Sequence, residues 1–337
     1  MVQVAVLGAS GYLGGEILRL LSFHPEFELT VIVSKSQPGR PVRELFPNLV
    51  PDADLSTVGA LGDEPVDLAF LAQPAGEAMK EVPKLLERGI KVVDLGPDYR
   101  HPSAETYRAV YGRTHEDPAH LEEAVYGLTE WYSDRIRSAR LVANPGCYPT
   151  AALLGLAPLL KAGEITGPVI IDAKSGTSGA GQGTSPTTHH PEAALTVHPY
   201  GTPSHRHLPE MERILAEVGG RAPAIVFVPH LVPVVRGILC TMYPTPAPGA
   251  DPAAWPRILE EAYAGSPFVH VGGTPRLAWA QGTNHCYLSV QSAGGAPVIF
   301  SVIDNLGKGG AAQAIQNANL MTGRPGDLGL RFAGFGV

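Results

Sequence analysis

The chain has 337 residues, 44% hydrophobic and 17% charged, with 39 glycines, a composition that fits a folded α/β protein of two domains with many tight turns and excludes a disordered chain. A formal net charge of -7, with no Lys/Arg run, argues against nucleic acid or an anionic membrane as the partner. Cys147, Cys240 and Cys286 are odd in number and far apart, matching neither a disulfide framework nor a zinc site, and no metal is expected.

Val2 to Leu7 is a nearly continuous apolar run ending at Gly8, and Ile17, Leu18, Leu20 and Leu21 place an apolar face on a helix over Leu13 to Phe23. A strand beginning almost at Met1 leaves no room for a signal peptide, and no apolar run has membrane-spanning length, so a cytoplasmic location is expected. Further strands are predicted at Phe27 to Val33, Val66 to Ala72 and Lys91 to Leu95, with a helix from Gly76 to Arg88. Strands alternating with helices imply a parallel sheet covered on both faces. Arg140 to Ala143 ends another buried strand, and Ala151 to Leu160 reads as an apolar helix. After Cys147 the pattern changes, with strands predicted at Val169 to Ala173, Ala224 to Val228, Gly237 to Tyr243, Cys286 to Gln291 and Pro297 to Ile303. These suit a second α+β domain of largely antiparallel sheet. Lys174 to Thr188 interrupts it as a Gly/Ser/Thr loop, Pro244 to Pro256 is a surface connection into a short helix at Arg257 to Ala264, and Ala311 to Met321 forms a late helix.

Six segments carry candidate chemistry. Gly8, Gly11 and Gly14 follow the first strand and open the first helix, a variant of the dinucleotide fingerprint in which backbone approaches pyrophosphate at a helix N-terminus. The second strand is followed by Ser34-Lys35-Ser36 rather than an acidic residue, which favours NADP over NAD; an ordinary exposed lysine is the competing reading. Asn144-Pro145-Gly146-Cys147-Tyr148-Pro149-Thr150 puts a cysteine at a strand-to-helix turn, where helix-start amides favour a thiolate; the alternative is a buried, inert thiol. Tyr200 to Glu210 contains His205-Arg206-His207, two imidazoles flanking a guanidinium, offering a base near neutral pH and a fork for a carboxylate or phosphate. His189, His190 and His198 upstream raise a metal reading, but their spacing matches no zinc pattern. Lys174 to Gly181 can form an anion-binding concavity or a plain connector, and Asp98-Tyr99-Arg100 adds a cation beyond a parallel strand.

Taken in order, Gly8 to Tyr12, Asn144 to Thr150, Ser175 to Gly181, His205 to Glu210, Pro229 to Pro233, Arg236 to Ile238 and Asp304 to Leu306 resemble the N-acetyl-gamma-glutamyl-phosphate reductase family, relatives of aspartate-semialdehyde dehydrogenase. The resemblance implies an NADP-binding Rossmann domain over 1–146 plus 305–337, and an α+β catalytic and oligomerisation domain over 147–304. It further implies Cys147 as nucleophile and His205, or after it His207, as acid/base. Cofactor contacts are expected at Gly8, Ser10, Gly11, Tyr12, Leu13, Gly14, Ser34, Lys35, Ser36, Gly176 and Asn305; substrate contacts are expected at Arg100, Asn144, Ser175, Arg206 and Glu210. The implied reaction reduces an acyl phosphate through a cysteinyl thioester, releasing inorganic phosphate, in a homo-oligomer, dimer or tetramer. Competing readings are a reductase of aminoadipyl or glutamyl phosphate on a carrier protein, a Cys-His hydrolase, and a non-catalytic NADP sensor.

Overall fold

A computed structural model describes residues 1–49, 55–202 and 204–336 of the chain; Pro203 in the His-Arg-His segment and Val337, the expected end of the first domain, lie outside the described residues. The chain forms two compact units, Met1–Pro145 with Gly310–Arg331, and Gly146–Gly309 with Phe332–Val337. The crossing expected after 146 thus falls one residue earlier, the return expected at 305 falls at Gly310, and the end from Phe332, expected in the first domain, groups with the second unit.

The first unit contains β1 (Val2–Leu7), α1 (Tyr12–Leu21), β2 (Phe27–Val33), α2 (Val42–Leu45), β3 (Thr57–Val58), β4 (Leu68–Leu71), α3 (Ala78–Glu87), β5 (Lys91–Asp94), α4 (Ala104–Tyr111), β6 (Val125–Tyr126), α5 (Thr129–Ser138) and β7 (Leu141–Ala143). Its seven strands run in the order β3-β2-β1-β4-β5-β7-β6, all pairings parallel. Every residue of β4 is buried, as expected of a parallel strand covered on both faces. On α3 the buried residues Ala78, Met79, Val82, Leu85 and Leu86 recur at helical spacing and pack against Ala69, Leu71 and Val92 in one core cluster. The helices α4 and α5 were not foreseen: α4 buries only Tyr107, and α5 only Thr129, Tyr132 and Ile136, so neither shows a broad apolar stripe. Local chemistry nevertheless marks α4, with the Ser103 hydroxyl accepting from the Thr106 amide at its start and Gly112 at φ 66° ending it.

The second unit contains α6 (Cys147–Lys161), β8 (Ile165–Ser175), α7 (His190–Ala193), β9 (His198–Pro199), α8 (Leu208–Gly219), β10 (Ile225–Leu231), β11 (Ile238–Pro246), α9 (Trp255–Ala262), β12 (Val269–Val271), α10 (Leu277–Ala280), β13 (Cys286–Ala293) and β14 (Ala296–Ile303). The strand order is β12-β13-β14-β11-β8-β10-β9. β12 with β13 and β8 with β10 are parallel, while the other pairings are antiparallel, so the sheet is mixed with an antiparallel majority. α11 (Ala312–Met321) returns to the first unit, where it packs on α5, β5 and α1 with every residue buried.

Helix α6 positions the cysteine. It begins four residues before the predicted start, because Gly146 is an extended N-cap and Pro149 is tolerated in a first turn that needs no amide donor. Residues Tyr148 to Leu159 are all buried, as suits a helix apolar on every side. Gly155 lets it approach the sheet, since a Cβ there would lie 2.6 Å from Met242 Cε. Pro158 donates no hydrogen bond to the Leu154 carbonyl, and the Tyr263 hydroxyl donates to that carbonyl instead, at 2.7 Å.

Candidate active site

Cys147 is the first residue of α6 and is partly exposed, whereas Cys240 and Cys286 are buried in strands. The turn that presents it is held from two sides. The Gly146 amide donates to Glu210 Oε1 at 2.9 Å, and the Gly146 carbonyl accepts from both the amide and the hydroxyl of Thr150. Gly309 lies against the cysteine, where a Cβ would come within 2.8 Å of Cys147 Cβ.

The His-Arg-His segment meets this turn within the second unit. His207, buried at the N-cap of α8, sets its ring on Gly146, since a Cβ on that glycine would lie 2.6 Å from His207 Nε2. His205 sits in an aromatic box of Tyr148, Tyr200 and Phe227, with its Nδ1 accepting from the His207 amide at 3.2 Å. Burial, then the neighbouring Arg206, pushes the His205 imidazole down to about 4, so it is neutral and weakly basic near pH 7. Arg206 is exposed and makes no ion pair among the described residues. Glu210, expected as a substrate contact, is fully buried and its Oε1 accepts from the Gly146 amide, bracing the cysteine turn. Tyr148 and Tyr200 share a hydroxyl–hydroxyl hydrogen bond of 2.9 Å beside these groups, a pairing not anticipated although each tyrosine adjoins a recognised motif.

The Gly/Ser loop after β8 is organised from β14 and its sequel. Asn305 Oδ1 accepts from the Gly237 amide at 2.7 Å, and its Nδ2 donates to Ser178 Oγ at 3.0 Å. With both ends of its amide so used, Asn305, expected as a cofactor contact, shapes the loop. Gly176 passes under the Val235 carbonyl, where a Cβ would lie at 2.6 Å, and Ser175 is buried with its hydroxyl donating to the Gly176 carbonyl. Asp304, fully buried, receives Arg236 through Nε at 2.9 Å and Nη2 at 2.7 Å and also caps the Gly282 and Leu306 amides. This charge pair was not singled out as a site feature from sequence.

In the first unit the dinucleotide features come together at the carboxyl ends of β1 and β2. Gly8 has φ 82° and a Cβ on it would collide with the Ala72 carbonyl; on Gly14 a Cβ would lie 2.5 Å from the Gly8 carbonyl. The Gly11 N-cap brings no side-chain cap and the first turn of α1, from Tyr12 and Leu13, brings no acid, so no carboxylate in that turn competes with an anion for its amides. Ser34 Oγ donates to Ser10 Oγ at 3.1 Å, and Ser36 Oγ lies 3.3 Å from Ser10 Oγ, a hydroxyl cluster suited to a 2′-phosphate. Lys35 beside it is paired with Glu77 at 2.7 Å and Glu81 at 3.4 Å.

Arg100 and Asn144, expected as substrate contacts, are buried and joined to each other. Arg100 Nε donates to the Asn144 carbonyl and Nη2 to the Leu95 carbonyl, both at 2.9 Å. The Asn144 side chain donates to the Gly310 carbonyl and accepts from Asn317, which also bonds Gly127 and Thr129. These residues brace the strand end that leads to the cysteine. Asp98, two residues before Arg100, anchors the start of α3 by accepting from the amides of Gly76 and Ala78 and from the Tyr107 hydroxyl. Among the described residues, no three His, Cys, Asp or Glu side chains are grouped to hold a metal, and no helix is long and apolar enough to cross a membrane.

Residues 3–139 match the family described as semialdehyde dehydrogenase, NAD binding domain, and residues 147–305 that described as semialdehyde dehydrogenase, dimerisation domain. An N-acetyl-gamma-glutamyl-phosphate reductase of Moorella thermoacetica is 45% identical over 99% of both chains, and one of Methanopyrus kandleri is 44% identical over 99% of both. Among solved structures, aspartate semialdehyde dehydrogenase II of Vibrio cholerae superposes with a TM-score of 0.71 at 16% identity, covering 96% of this chain and 98% of that one. The Candida albicans aspartate semialdehyde dehydrogenase solved with NADP has a TM-score of 0.70 at 16% identity, covering 96% and 99%. With the glycine cradle, the helix-heading cysteine and the His-Arg-His segment all in place along the full length, the chain belongs to the N-acetyl-gamma-glutamyl-phosphate reductase family of semialdehyde dehydrogenases.

Proposed function

We propose that the chain reduces N-acetyl-gamma-glutamyl phosphate to N-acetyl-glutamate 5-semialdehyde and phosphate with NADPH, a step of arginine biosynthesis carried out in the cytoplasm. The observation that carries this reading is Cys147 at the head of α6 with the His207 ring on Gly146, in a chain 45% identical to a reductase of that name.

The chemistry follows from these groups. His207 takes the thiol proton as Cys147 Sγ bonds to the acyl carbon and the bond from that carbon to the phosphate oxygen breaks, phosphate leaving with the electron pair and a thioester remaining. Amides in the first turn of α6 lack helical acceptors and stabilise the oxygen on which charge develops, an effect of about 3 kcal/mol per donor. Bound NADPH supplies the hydride that reduces the thioester carbon. His207 gives a proton to the resulting hemithioacetal oxygen and takes it back as the C–S bond breaks and the aldehyde leaves. His207 takes precedence over His205 because its Nε2 adjoins the residue before Cys147, whereas His205 is boxed by aromatic rings and weakly basic. Arg206, exposed beside these histidines, holds the substrate carboxylate, and the loop at Ser175 to Gly181 receives the leaving phosphate. In the first unit, Gly8 to Gly14 receive the pyrophosphate of NADP, and Ser10, Ser34, Lys35 and Ser36 its 2′-phosphate. The second unit joins a second copy of the chain, forming a dimer or tetramer.

A panel of semialdehydes, each offered with phosphate and NADP and followed by NADPH absorbance, tests the substrate. N-acetyl-glutamate 5-semialdehyde should turn over far faster than aspartate semialdehyde; equal or reversed preference would contradict the assignment.

A further inference from the structure

Between the Gly/Ser loop and β9 the chain leaves the body of its unit. Of residues 181–199 only Ala193 is buried, and the segment is held mainly by its own bonds: Ser185 and Thr188 cap each other, α7 is one short turn, and β9 pairs with β10 at Pro199↔His230 and His198↔Leu231. Such an arm is ordinarily polar. This one displays Leu195 at 92% exposure and Val197 at 59%, two large apolar side chains with no core beneath them.

Beside these knobs is a hollow. Pro186, Thr187, His189, Glu192, Thr196 and His198 line a cavity of about 420 Å³, ample for a leucine side chain. A two-fold symmetric contact uses the same patch on both partners, so that patch must carry both the projection and the socket that receives it. The arm carries both within a dozen residues. It also lies inside the stretch matched to a dimerisation domain, and its anchor strand β10 carries half-exposed Val226, which continues in register into half-exposed Ile170 and Tyr243 on neighbouring strands.

We infer that the 181–199 arm is an exchange contact between two copies of this chain, with Leu195 and Val197 of each copy seated in the arm cavity of the other. The inference rests on the self-association proposed for the second unit and assigns it a specific contact.

Sedimentation velocity of the full chain over a dilution series tests it. Leu195→Asp and Val197→Asp should each raise the concentration at which the oligomer dissociates by at least about ten-fold, whereas Leu195→Met should associate like the parent. Circular dichroism and thermal unfolding of each variant check that the fold is intact. Val226→Asp, on the sheet face, is run alongside. If the two arm variants keep the parent's mass while Val226→Asp dissociates, self-association stands and the arm contact is overturned. A parent chain monomeric at every concentration would instead overturn self-association itself, and the arm contact with it. Arm variants that keep their mass but lose turnover would make the arm a cover for its own substrate, which also overturns the proposal.

Discussion

At the scale of residues, His207 and His205 differ in what surrounds them, and kinetics should separate them. His207→Asn is expected to lower kcat by about 100-fold or more with little change in KM, because proton transfer matters in the transition state and not in binding. Steady-state rates with semialdehyde, phosphate and NADP varied in turn provide the check; a crippled His205→Asn beside a near-normal His207→Asn would pass the role to His205. Asp94, at the end of β5, offers a test on stability. It is fully buried, and burial followed by the nearby Asp98 raises its carboxyl from 3.8 to about 7, while the Gly96 amide and Arg100 pull it back. Between these values the folded chain holds a proton that the unfolded chain has released, so stability from this group is lost as pH rises through about 7. Asp94→Asn should therefore unfold at higher temperature than the parent above about pH 8, the gain vanishing toward about pH 4. His205 works in the opposite sense: its imidazole, lowered from 6.5 to about 4, costs stability as pH falls through that interval, so melting curves should be compared at matched pH.

At the scale of elements, strands and helices with continuous or periodic apolar runs were legible, and those without were not. β1 and β2 occur over the residues expected, and the glycine turn between β1 and α1 lies where its spacing placed it. The two-residue strands β3, β6 and β9 are too short to show a period, and α5 is a polar helix whose burial comes from α11, nearly two hundred positions later. The candidate site divides in the same way. A cysteine at a helix start is a local signal, but whether Glu210, Asn305, Arg100 or Asn144 is open to a ligand depends on partners far away in sequence, and each proved to be engaged with backbone or a neighbouring amide. Lys35 is the element-scale case that remains testable, since the end of β2 offers two hydroxyls and one cation beside the Ser10 hydroxyl from the turn after β1, the cation paired with Glu77 and Glu81. An exposed pair of this kind is worth at most about 1 kcal/mol, so a 2′-phosphate can displace it. Lys35→Asp should weaken NADPH binding far more than NADH binding, measured by titrating both cofactors; an unchanged ratio would place 2′-phosphate recognition elsewhere.

At the scale of the molecule, the chain crosses between its compact units at Pro145/Gly146, at Gly309/Gly310 and at Arg331/Phe332, and the second-unit residues at the first two, Gly146 and Gly309, lie next to the nucleophile. Gly146 immediately precedes Cys147 and Gly309 packs against its Cβ. The residues proposed to hold NADP belong to the first unit and those proposed to form and release the thioester belong to the second, so the central claim is that Cys147 carries the acyl group as a covalent intermediate. Pre-steady-state mixing with N-acetyl-glutamate 5-semialdehyde and NADP, without phosphate, tests this directly. The account predicts a burst of NADPH absorbance equal to one per active site, a stall, and resumed turnover on adding phosphate, with no burst in Cys147→Ser. Normal turnover with phosphate but no burst without it would contradict a cysteinyl thioester.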